Sequence, residues 1–256
     1  MTLSRVYVIP HGDEIISMPN EDARVMNGKI KEVTKGDDAD TIAIISPHFL
    51  RVSSGVAVIN TNYVSGEYKI KRRNIKGHYR VDKDLNSRIL GSSRYFVETV
   101  FVTTEGRLSN FPLDFGSLIP LSFFDVDTVS VMGQWRAYHP KILRKLGALL
   151  YQAVSSSRSL VSVVFSADQA HAHSRSGRYG YDPRAREYDE MIINSIKDND
   201  FRELANVKNE FIEGAKPDSF WLMLMFSGFV DRGNLRPVFH YYYVQRYFGM
   251  MLATAV

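Results

Sequence analysis

Three of the seven histidines stand just after apolar, strand-like runs, where a fold can bring their side chains together. They are His11, after residues 5–9; His48, after residues 41–45; and His171, after residues 160–165. Ligands of open α/β sheets bind beyond the carboxyl ends of the strands. The separations of 37 residues (48 − 11) and 123 residues (171 − 48) exclude a local zinc finger and are typical of a site assembled from distant strand ends.

Histidines placed in this way can hold a metal ion when a carboxylate joins them. Two histidines and one carboxylate, with positions left open, are the facial triad of non-haem Fe(II) oxygenases. Spacing alone does not choose the carboxylate, and the candidates are Asp13, Glu14, Glu210, Glu213 and Asp218. Because the chain has no cysteine, disulfide frameworks, cysteine-ligated zinc sites, iron–sulfur clusters and thiol nucleophiles are excluded.

Ordinary structural roles compete with these interpretations. His11 or His48, taken alone, is more often a turn or capping residue, and the acidic pair after His11 can simply favour a helix N-terminus. Alternation along an extended chain places His173 on the opposite face from His171, so one of the two is expected to be structural. The other histidines are expected on a solvated basic run (His78, residues 69–80), at a helix start (His139) and in the core (His240).

Composition and charge exclude several classes of protein. The 256 residues are 45% hydrophobic and 23% charged, which is typical of a folded soluble protein. The net charge is only +4, and the basic residues are too scattered along the sequence to indicate a nucleic-acid partner. The longest apolar stretch, residues 220–230, is shorter than the about 20 residues of a membrane helix, and the N-terminus lacks a signal-peptide core. We therefore expect no membrane partner and a cytoplasmic location. The absence of a G-x-S-x-G motif argues against serine hydrolysis.

The order of the elements predicts an α/β fold. Most strand-like runs are continuous, as in strands covered by helices on both faces. Strands are predicted at residues 5–9, 41–45, 55–61, 98–103, 127–132 and 160–165, with one or two more within residues 236–255. Helices are predicted at residues 83–90, 139–155, 184–198, 199–215 and 217–229. Without a repeat, linker or break in composition, we expect one α/β domain over residues 1–256 with a large mixed sheet.

Five short motifs, taken in order, resemble one enzyme family. They are PHGDE (residues 10–14), SPH (46–48), DFGSLIPL (114–121), SADQAH (166–171) and GRYGYDP (177–183). Over residues 5–249 the chain resembles the class III extradiol ring-cleavage dioxygenases, relatives of the catalytic subunit of protocatechuate 4,5-dioxygenase. The resemblance implies an α/β/α domain around a central mixed sheet, with its site at the carboxyl ends of the strands, that often forms homo-oligomers. It also implies Fe(II), or zinc or another divalent metal in its place, with O₂ and a small catechol-type substrate.

The same resemblance implies roles for individual residues. His11 and His48 match the two iron-binding histidines, and His171 matches the acid/base catalyst. The third ligand in the family is usually a glutamate just before an apolar helix, and Asp218 takes the matching position here. Glu213 and Glu210 are the reserve candidates.

One position departs from the family pattern. Many members have Asp-His-Gly where this chain has Asp-Phe-Gly, so Phe115 replaces a histidine that lines the substrate site. Phenylalanine neither donates a hydrogen bond nor accepts a proton, so another group, His173 or His139, is expected to substitute.

Further substrate contacts are expected from a loop. The loop at residues 174–182 carries Arg178 and Tyr179, and we expect it to act as a lid over the substrate or as an ordinary basic surface loop. The substrate-binding prediction therefore comprises His173, Phe115, Arg178 and Tyr179. Two other functions stay open: an interaction protein on the same scaffold without ring cleavage, and a zinc-dependent hydrolase. Some non-catalytic relatives place a cysteine in the metal site, and its absence here favours an oxygen ligand and iron.

Overall fold

Four buried parallel strands lie at the centre of the structure, a computed structural model that describes residues 2–71, 73–100, 110–137 and 139–256. In their order across the sheet they are β1 (Leu3–Ile9), β9 (Val161–Ser166), β2 (Thr41–Ser46) and β8 (Thr128–Gly133). Each pairs with the next in parallel. Every residue of β2 and β9 is buried, so the prediction of strands covered on both faces is confirmed.

Other strands flank this centre and make the sheet mixed. They are β3 (Val56–Ile59), β4 (Tyr63–Ile70), β5 (Arg73–Val81), β6 (Phe96–Thr99), β7 (Asn110–Pro112), β10 (Pro237–Gln245) and β11 (Phe248–Ala255). β10 and β11 form an antiparallel hairpin that joins the sheet beside β1. On the other side β5 is parallel to β8, and β5 and β4 form a second hairpin. β3 pairs antiparallel with β8 and carries β6, so the described sheet has eleven strands.

Helices cover both faces of the sheet. One face carries α1 (Glu14–Ser17), α2 (Glu21–Thr34) and α4 (Phe115–Leu121). The other carries α3 (Lys83–Ser92), α5 (Pro140–Ser155), α6 (Arg184–Asp198), α7 (Asn209–Ala215) and α8 (Phe220–Gly233). The side chains of β1 alternate between the two faces of the sheet. Tyr7 and Ile9 lie in the core on the face that carries α2 and α4, and Val6 and Val8 lie in the core on the face that carries α5 and α8. The predicted α/β/α architecture with a mixed sheet is confirmed.

The packing of α8 fixes the chain just before it. Glycines let α5 and α8 approach backbone to backbone: a Cβ at Gly147 would lie 1.8 Å from the carbonyl oxygen of Met225, and one at Gly228 would lie 1.8 Å from that of Arg144. Such an approach excludes any larger residue at either position. The buried α8 thereby holds residue 218, two positions before its start, at the end of the sheet.

Three of the predicted helices match the structure closely, and one prediction is wrong. The helices predicted at residues 83–90, 139–155 and 184–198 are α3, α5 and α6. Residues 199–215 were expected to form one helix, but they contain only a 3₁₀ turn (Leu204–Asn206) and α7. Asn199 adopts a left-handed conformation with φ 51°, and the Asp200 carboxylate accepts the backbone N–H of Arg202, a local bond that competes with helix.

For the remaining predicted elements, the observed ends differ from the predicted ends by a few residues. The helix expected at residues 217–229 is α8, which begins at Phe220, and the late strands are β10 and β11. Of the strand expected at residues 98–103, β6 covers the start, and residues 101–103 lie outside the described residues. No helix in the described ranges is both long enough and apolar enough to cross a membrane.

Candidate metal centre

The ends of the four central strands meet at one site. His11 follows β1, His48 follows β2 and His171 follows β9, and β9 lies between the other two strands. Asp218 reaches the same point from the turn before α8. Since the carboxyl ends of parallel strands share one edge of the sheet, residues far apart in sequence become neighbours there.

Three side chains point their ligand atoms at one position. One ligand atom of each of His11, His48 and Asp218 lies within 4.8 Å of the other two. His48 Nε2 is 3.1 Å from His11 Nε2 and 3.2 Å from Asp218 Oδ2. Two imidazole nitrogens and one carboxylate oxygen in this arrangement can take a divalent metal ion.

A chain of hydrogen bonds fixes the tautomer of His11. The buried Ser166 hydroxyl donates to the carbonyl oxygen of Gly116 at 2.6 Å, so its oxygen accepts the Nδ1–H of His11 at 2.9 Å. The Nε2 lone pair of His11 is left free to face the site. A hydrogen-bond partner on the other ring nitrogen commonly orients a histidine that binds a metal ion.

His48 is positioned through its backbone. The Ser46 hydroxyl donates to Asp114 Oδ2 at 2.6 Å and accepts the backbone N–H of His48 at 3.3 Å. Asp114 also caps α4. A Cβ at Gly116 would lie 2.6 Å from Ser46 Oγ and 3.3 Å from the ring of His48, so the close approach of α4 to β2 requires glycine there.

Asp218 is held on several sides. Its backbone N–H donates to the carbonyl of Gln169 at 3.4 Å, and the Gln134 amide donates to its backbone carbonyl at 3.0 Å. Arg136 Nη2 donates to its Oδ1 at 2.9 Å. Burial alone would raise the pKa of Asp218, but the hydrogen bond from His48 and the charges of His171 and His48 hold it well below its ordinary value.

Burial sets the charge state of the groups around His11. It lowers the pKa of His11 to about 3, with the charge of His48 adding to the effect, so the imidazole is neutral at physiological pH. Burial raises the pKa of Asp168 to about 6. Asp168 Oδ1 accepts the backbone N–H of His11 at 3.0 Å, and its Oδ2 lies 3.4 Å from His11 Nε2. Burial also lowers the pKa of His48, but its bond to Asp218 outweighs this effect and raises the value.

His171 faces the same point from β9. Its Nδ1–H donates to the carbonyl of Gln169 at 2.9 Å, which leaves the Nε2 lone pair directed at the site, 3.7 Å from Asp218 Oδ2. The imidazole ring stacks on Phe248 with centroids 5.5 Å apart. A neutral imidazole with a free Nε2 beside a metal site can accept a proton from a bound ligand.

A cavity of about 650 Å³ opens over the three ligands, within the usual size range of small-molecule sites. Aromatic rings are among the residues that line it. Phe115 lies 4.5 Å from the ring of His48 and 5.5 Å from that of Tyr68. Tyr179 and Tyr247 lie 6.0 and 6.1 Å from the ring of His171. These rings offer flat contacts to an aromatic ligand.

Arginines without an acidic partner line the cavity. Arg51, Arg178 and Arg246 face it, and none has a carboxylate within ion-pair distance among the residues that the structure describes. Burial and the charge of Arg136 lower the pKa of Arg51, a sign that the two cations repel each other. An anionic group of a ligand could pair with these arginines.

The structure brings together most of the residues predicted for the site. His11, His48 and Asp218 form one group, and His171, Phe115, Arg178 and Tyr179 line or border the cavity. His173 is placed elsewhere: its Nε2 donates to the buried Asp189 at 2.8 Å, on the opposite side of the strand end. The alternation argued from the sequence thus places His173 away from the cavity.

The other candidates lie at the edge of the site or outside it. Glu213 is exposed at the cavity mouth and pairs with Lys216 at 2.9 Å, whereas Glu210 does not line the cavity. Asp13 and Glu14 line the cavity without joining the metal ligands. The other three histidines are the cap of α5 (His139), an exposed residue stacked on Tyr63 (His78) and a half-buried partner of Thr254 (His240).

Sequence reasoning missed several residues that support the site. Arg136 follows β8, which ends in the same place as the histidine-bearing strands but carries no histidine to mark it. Ser166 and Asp168 lie within the SADQAH motif, where attention fell on His171. A polar residue at the end of each buried strand is the signal that would have found all three.

Comparisons with known proteins identify the family and the fold of this chain. A sequence profile described as the catalytic LigB subunit of aromatic ring-opening dioxygenase matches residues 6–252. Protein CA_C1420 of Clostridium acetobutylicum is 23% identical over 233 residues, which cover 84% of this chain and 49% of that protein. The chain thus spans about half the length of this curated relative. The crystal structure of the uncharacterized protein JW3007 from Escherichia coli K12 shares the fold, with TM-score 0.68, 13% identity and 99% of each chain covered.

Proposed function

The chain belongs to the family of the catalytic LigB subunit of aromatic ring-opening dioxygenases, and on that premise we propose that it is a non-haem Fe(II)-dependent extradiol dioxygenase that opens a catechol-type ring with O₂. The observation that carries the proposal is the convergence of His11 Nε2, His48 Nε2 and Asp218 Oδ2 beside the free Nε2 of His171. It combines a three-ligand metal group with a base at one end of a ring-sized cavity.

The donor set fits a divalent iron. Two imidazole nitrogens and one carboxylate oxygen are the ligands of non-haem Fe(II) oxygenases. His11 and His171 donate their Nδ1–H to Ser166 Oγ and to the Gln169 carbonyl, so in each neutral imidazole the lone pair lies on Nε2. A bound Fe(II) supplies the redox chemistry with O₂, and the chain supplies orientation and proton transfer.

The aromatic walls orient the ring of the substrate. We expect a catechol that directs its two oxygens towards the ligand group to contact the rings of Phe115, Tyr179 and Tyr247, which all line the cavity. Phe115 contributes a flat apolar contact where many relatives have a histidine, so proton transfer falls to His171 alone. His173 is left a structural role through its bond to Asp189.

His171 moves the proton. Its Nε2 lies on the cavity side and accepts the proton of a substrate hydroxyl, which converts the catechol to the anion that binds a metal more strongly. The imidazolium is stabilised by the Gln169 carbonyl at Nδ1 and by Asp218 nearby. His171 then returns the proton as the ring opens beside the two oxygens.

The arginines of the cavity select substrates with a negative charge. Arg51 and Arg178 line the cavity and have no carboxylate partner among the described residues. We assign the carboxylate or another acidic group of the substrate to these two arginines. Arg178 lies in the loop over the cavity, 5.6 Å from the ring of Tyr179, which places charge and ring contacts on one element.

Reconstitution with different metals tests the proposal. Metal-free protein is loaded anaerobically with Fe(II) or with Zn(II), mixed with a panel of acidic and neutral catechols, and exposed to O₂ while oxygen uptake and yellow products are followed. Turnover with Fe(II) but not with Zn(II) is expected. The Zn(II)-loaded protein is also tested on ester and amide substrates, and activity on these substrates would instead indicate a hydrolase.

A pair of variants separates metal binding from catalytic turnover. His48→Ala should lose both the metal and turnover, whereas His171→Ala should keep the metal and lose turnover. Tight metal binding without turnover of any catechol would contradict the proposal and favour an interaction protein on this scaffold. Homo-oligomerisation and a cytoplasmic location remain predictions, to be measured by light scattering and by cell fractionation.

A further inference from the structure

The two carboxylate oxygens of Asp218 face different partners. Oδ2 lies 3.2 Å from His48 Nε2 and 3.7 Å from His171 Nε2, on the side of the metal ligands. Oδ1 accepts a hydrogen bond from Arg136 Nη2 at 2.9 Å. One oxygen is therefore available to a metal ion, and a cation occupies the other.

Arg136 is itself held in this position. Its guanidinium lies 4.7 Å above the ring of Trp221, at the start of α8, and its backbone lies three residues after the end of β8. A cation over an indole face is attracted by the ring, most strongly when it is partly withdrawn from water, and about a third of the Arg136 side chain remains exposed. Gln134, two residues earlier, binds the backbone carbonyl of Asp218. The segment after β8 thus donates hydrogen bonds to both the backbone and the side chain of Asp218.

Building on the metal site proposed above, we propose that Arg136 is a positioning residue that restricts Asp218 to metal binding through a single oxygen. A guanidinium donates in a rigid plane and competes for a carboxylate oxygen that would otherwise be free to bind the metal as well. While the lone pair of Asp218 Oδ1 accepts the hydrogen bond from Arg136, that lone pair is not available to bind a metal ion.

The consequence concerns the positions that remain for substrate and O₂. Three single-atom ligands leave about three of the positions of an octahedral ion, enough for two catechol oxygens and O₂. If Asp218 bound through both oxygens, about two would remain. By holding Oδ1 of Asp218, Arg136 thus keeps a position of the metal ion open for substrate or O₂.

Water bound to Mn(II) measures this directly and needs no turnover. Mn(II) is added to the metal-free protein, and the number of exchangeable waters on the ion is obtained from the relaxation of water protons and ¹⁷O. The variant Arg136→Met keeps length but loses the donors, Arg136→Gln is too short to reach Oδ1, and Arg136→Lys keeps a charge and a donor. Arg144→Met is the matched control, because Arg144 pairs with Asp231 on the surface, away from the cavity.

We expect about three waters in the unmodified protein, in Arg144→Met and, largely, in Arg136→Lys, and about two in Arg136→Met and Arg136→Gln, with Mn(II) bound no more weakly. An unchanged water number in the Met and Gln variants, or loss of Mn(II) from them, would overturn the inference. Failure of the unmodified protein to bind Mn(II), Fe(II) or Co(II) at all would instead count against the proposed function. Thermal unfolding by circular dichroism confirms that each variant is folded.

Discussion

Replacing Ser166 by alanine removes the hydroxyl that fixes the imidazole of His11. The hydroxyl is fully buried, donates to the Gly116 carbonyl at 2.6 Å and accepts from His11 Nδ1 at 2.9 Å. Without it, His11 is free to carry its proton on Nε2, the atom that must bind the metal. The variant therefore changes the tautomer of a ligand without changing any ligand.

The magnitude follows from the two bonds that are lost. Partners that orient a metal-binding histidine typically contribute 10- to 100-fold to metal affinity, so we expect binding weaker by about 1.4–2.8 kcal/mol. The Gly116 carbonyl and His11 Nδ1 are also left unpaired in the interior, at a cost of about 1–3 kcal/mol each. The free energy of unfolding of the metal-free protein should fall by at least about 2 kcal/mol.

A second serine on the same strand separates the two effects. Ser162 is equally buried, and its hydroxyl donates to Asp37 near the other end of β9. Ser162→Ala should lose stability without losing metal affinity, whereas Ser166→Ala should lose both, as measured by urea unfolding and by chelator competition with Fe(II) or Co(II). Equal metal affinity in the two variants would refute the argument that Ser166 sets the tautomer of His11.

Three further predictions address the base, the buried acid and the aromatic wall. Substituting His171→Gln should leave metal affinity within a few fold but lower turnover by about 10²–10⁴, the usual contribution of a general acid–base, and a smaller loss in steady-state kinetics would place the base elsewhere. Burial raises the pKa of Glu14 from 4.5 to about 7, so between these values the folded protein binds more protons than the unfolded chain and its stability falls as pH rises. Glu14→Gln should lack this fall, and the stability of the unmodified protein relative to the variant should drop by at most about 3 kcal/mol between pH 4.5 and 8 in urea titrations of metal-free protein; parallel curves would argue against it. Phe115→Ala removes a ring 4.5 Å from His48 and 5.5 Å from Tyr68, and should raise KM for catechols several-fold while metal affinity holds; an unchanged KM would remove Phe115 from the substrate site.

The centre of the fold and the three histidines at its strand ends were accessible from the sequence for one physical reason. Strands buried on both faces need continuous apolar residues, so β1, β2 and β9 are visible as runs, and the first polar residues after them mark the end of the sheet. His11, His48 and His171 stand at those ends. The spacing of residues could not choose Asp218 among five carboxylates, because the packing of α8 decides which acid reaches the site.

Other features depended on contacts between distant residues. No local pattern indicates that Arg136 reaches Asp218, 82 residues away, or that Ser166 bridges His11 and the Gly116 carbonyl. The helix expected over residues 199–215 failed because local bonds at Asp200 competed with it. The paired histidines 171 and 173 illustrate both cases: alternation predicted that one would turn away, and only the buried carboxylate of Asp189 shows that it is His173.

The fate of molecular oxygen tests the central claim most directly. The Fe(II)-loaded protein is given an acidic catechol under ¹⁸O₂, and the ring-opened product is analysed by mass spectrometry after reduction of exchangeable carbonyls. We expect both atoms of one O₂ molecule to enter the product, and we expect His171→Gln, with metal still bound, to form none. A product that carries oxygen from water alone, or no product from any catechol in the panel, would contradict it.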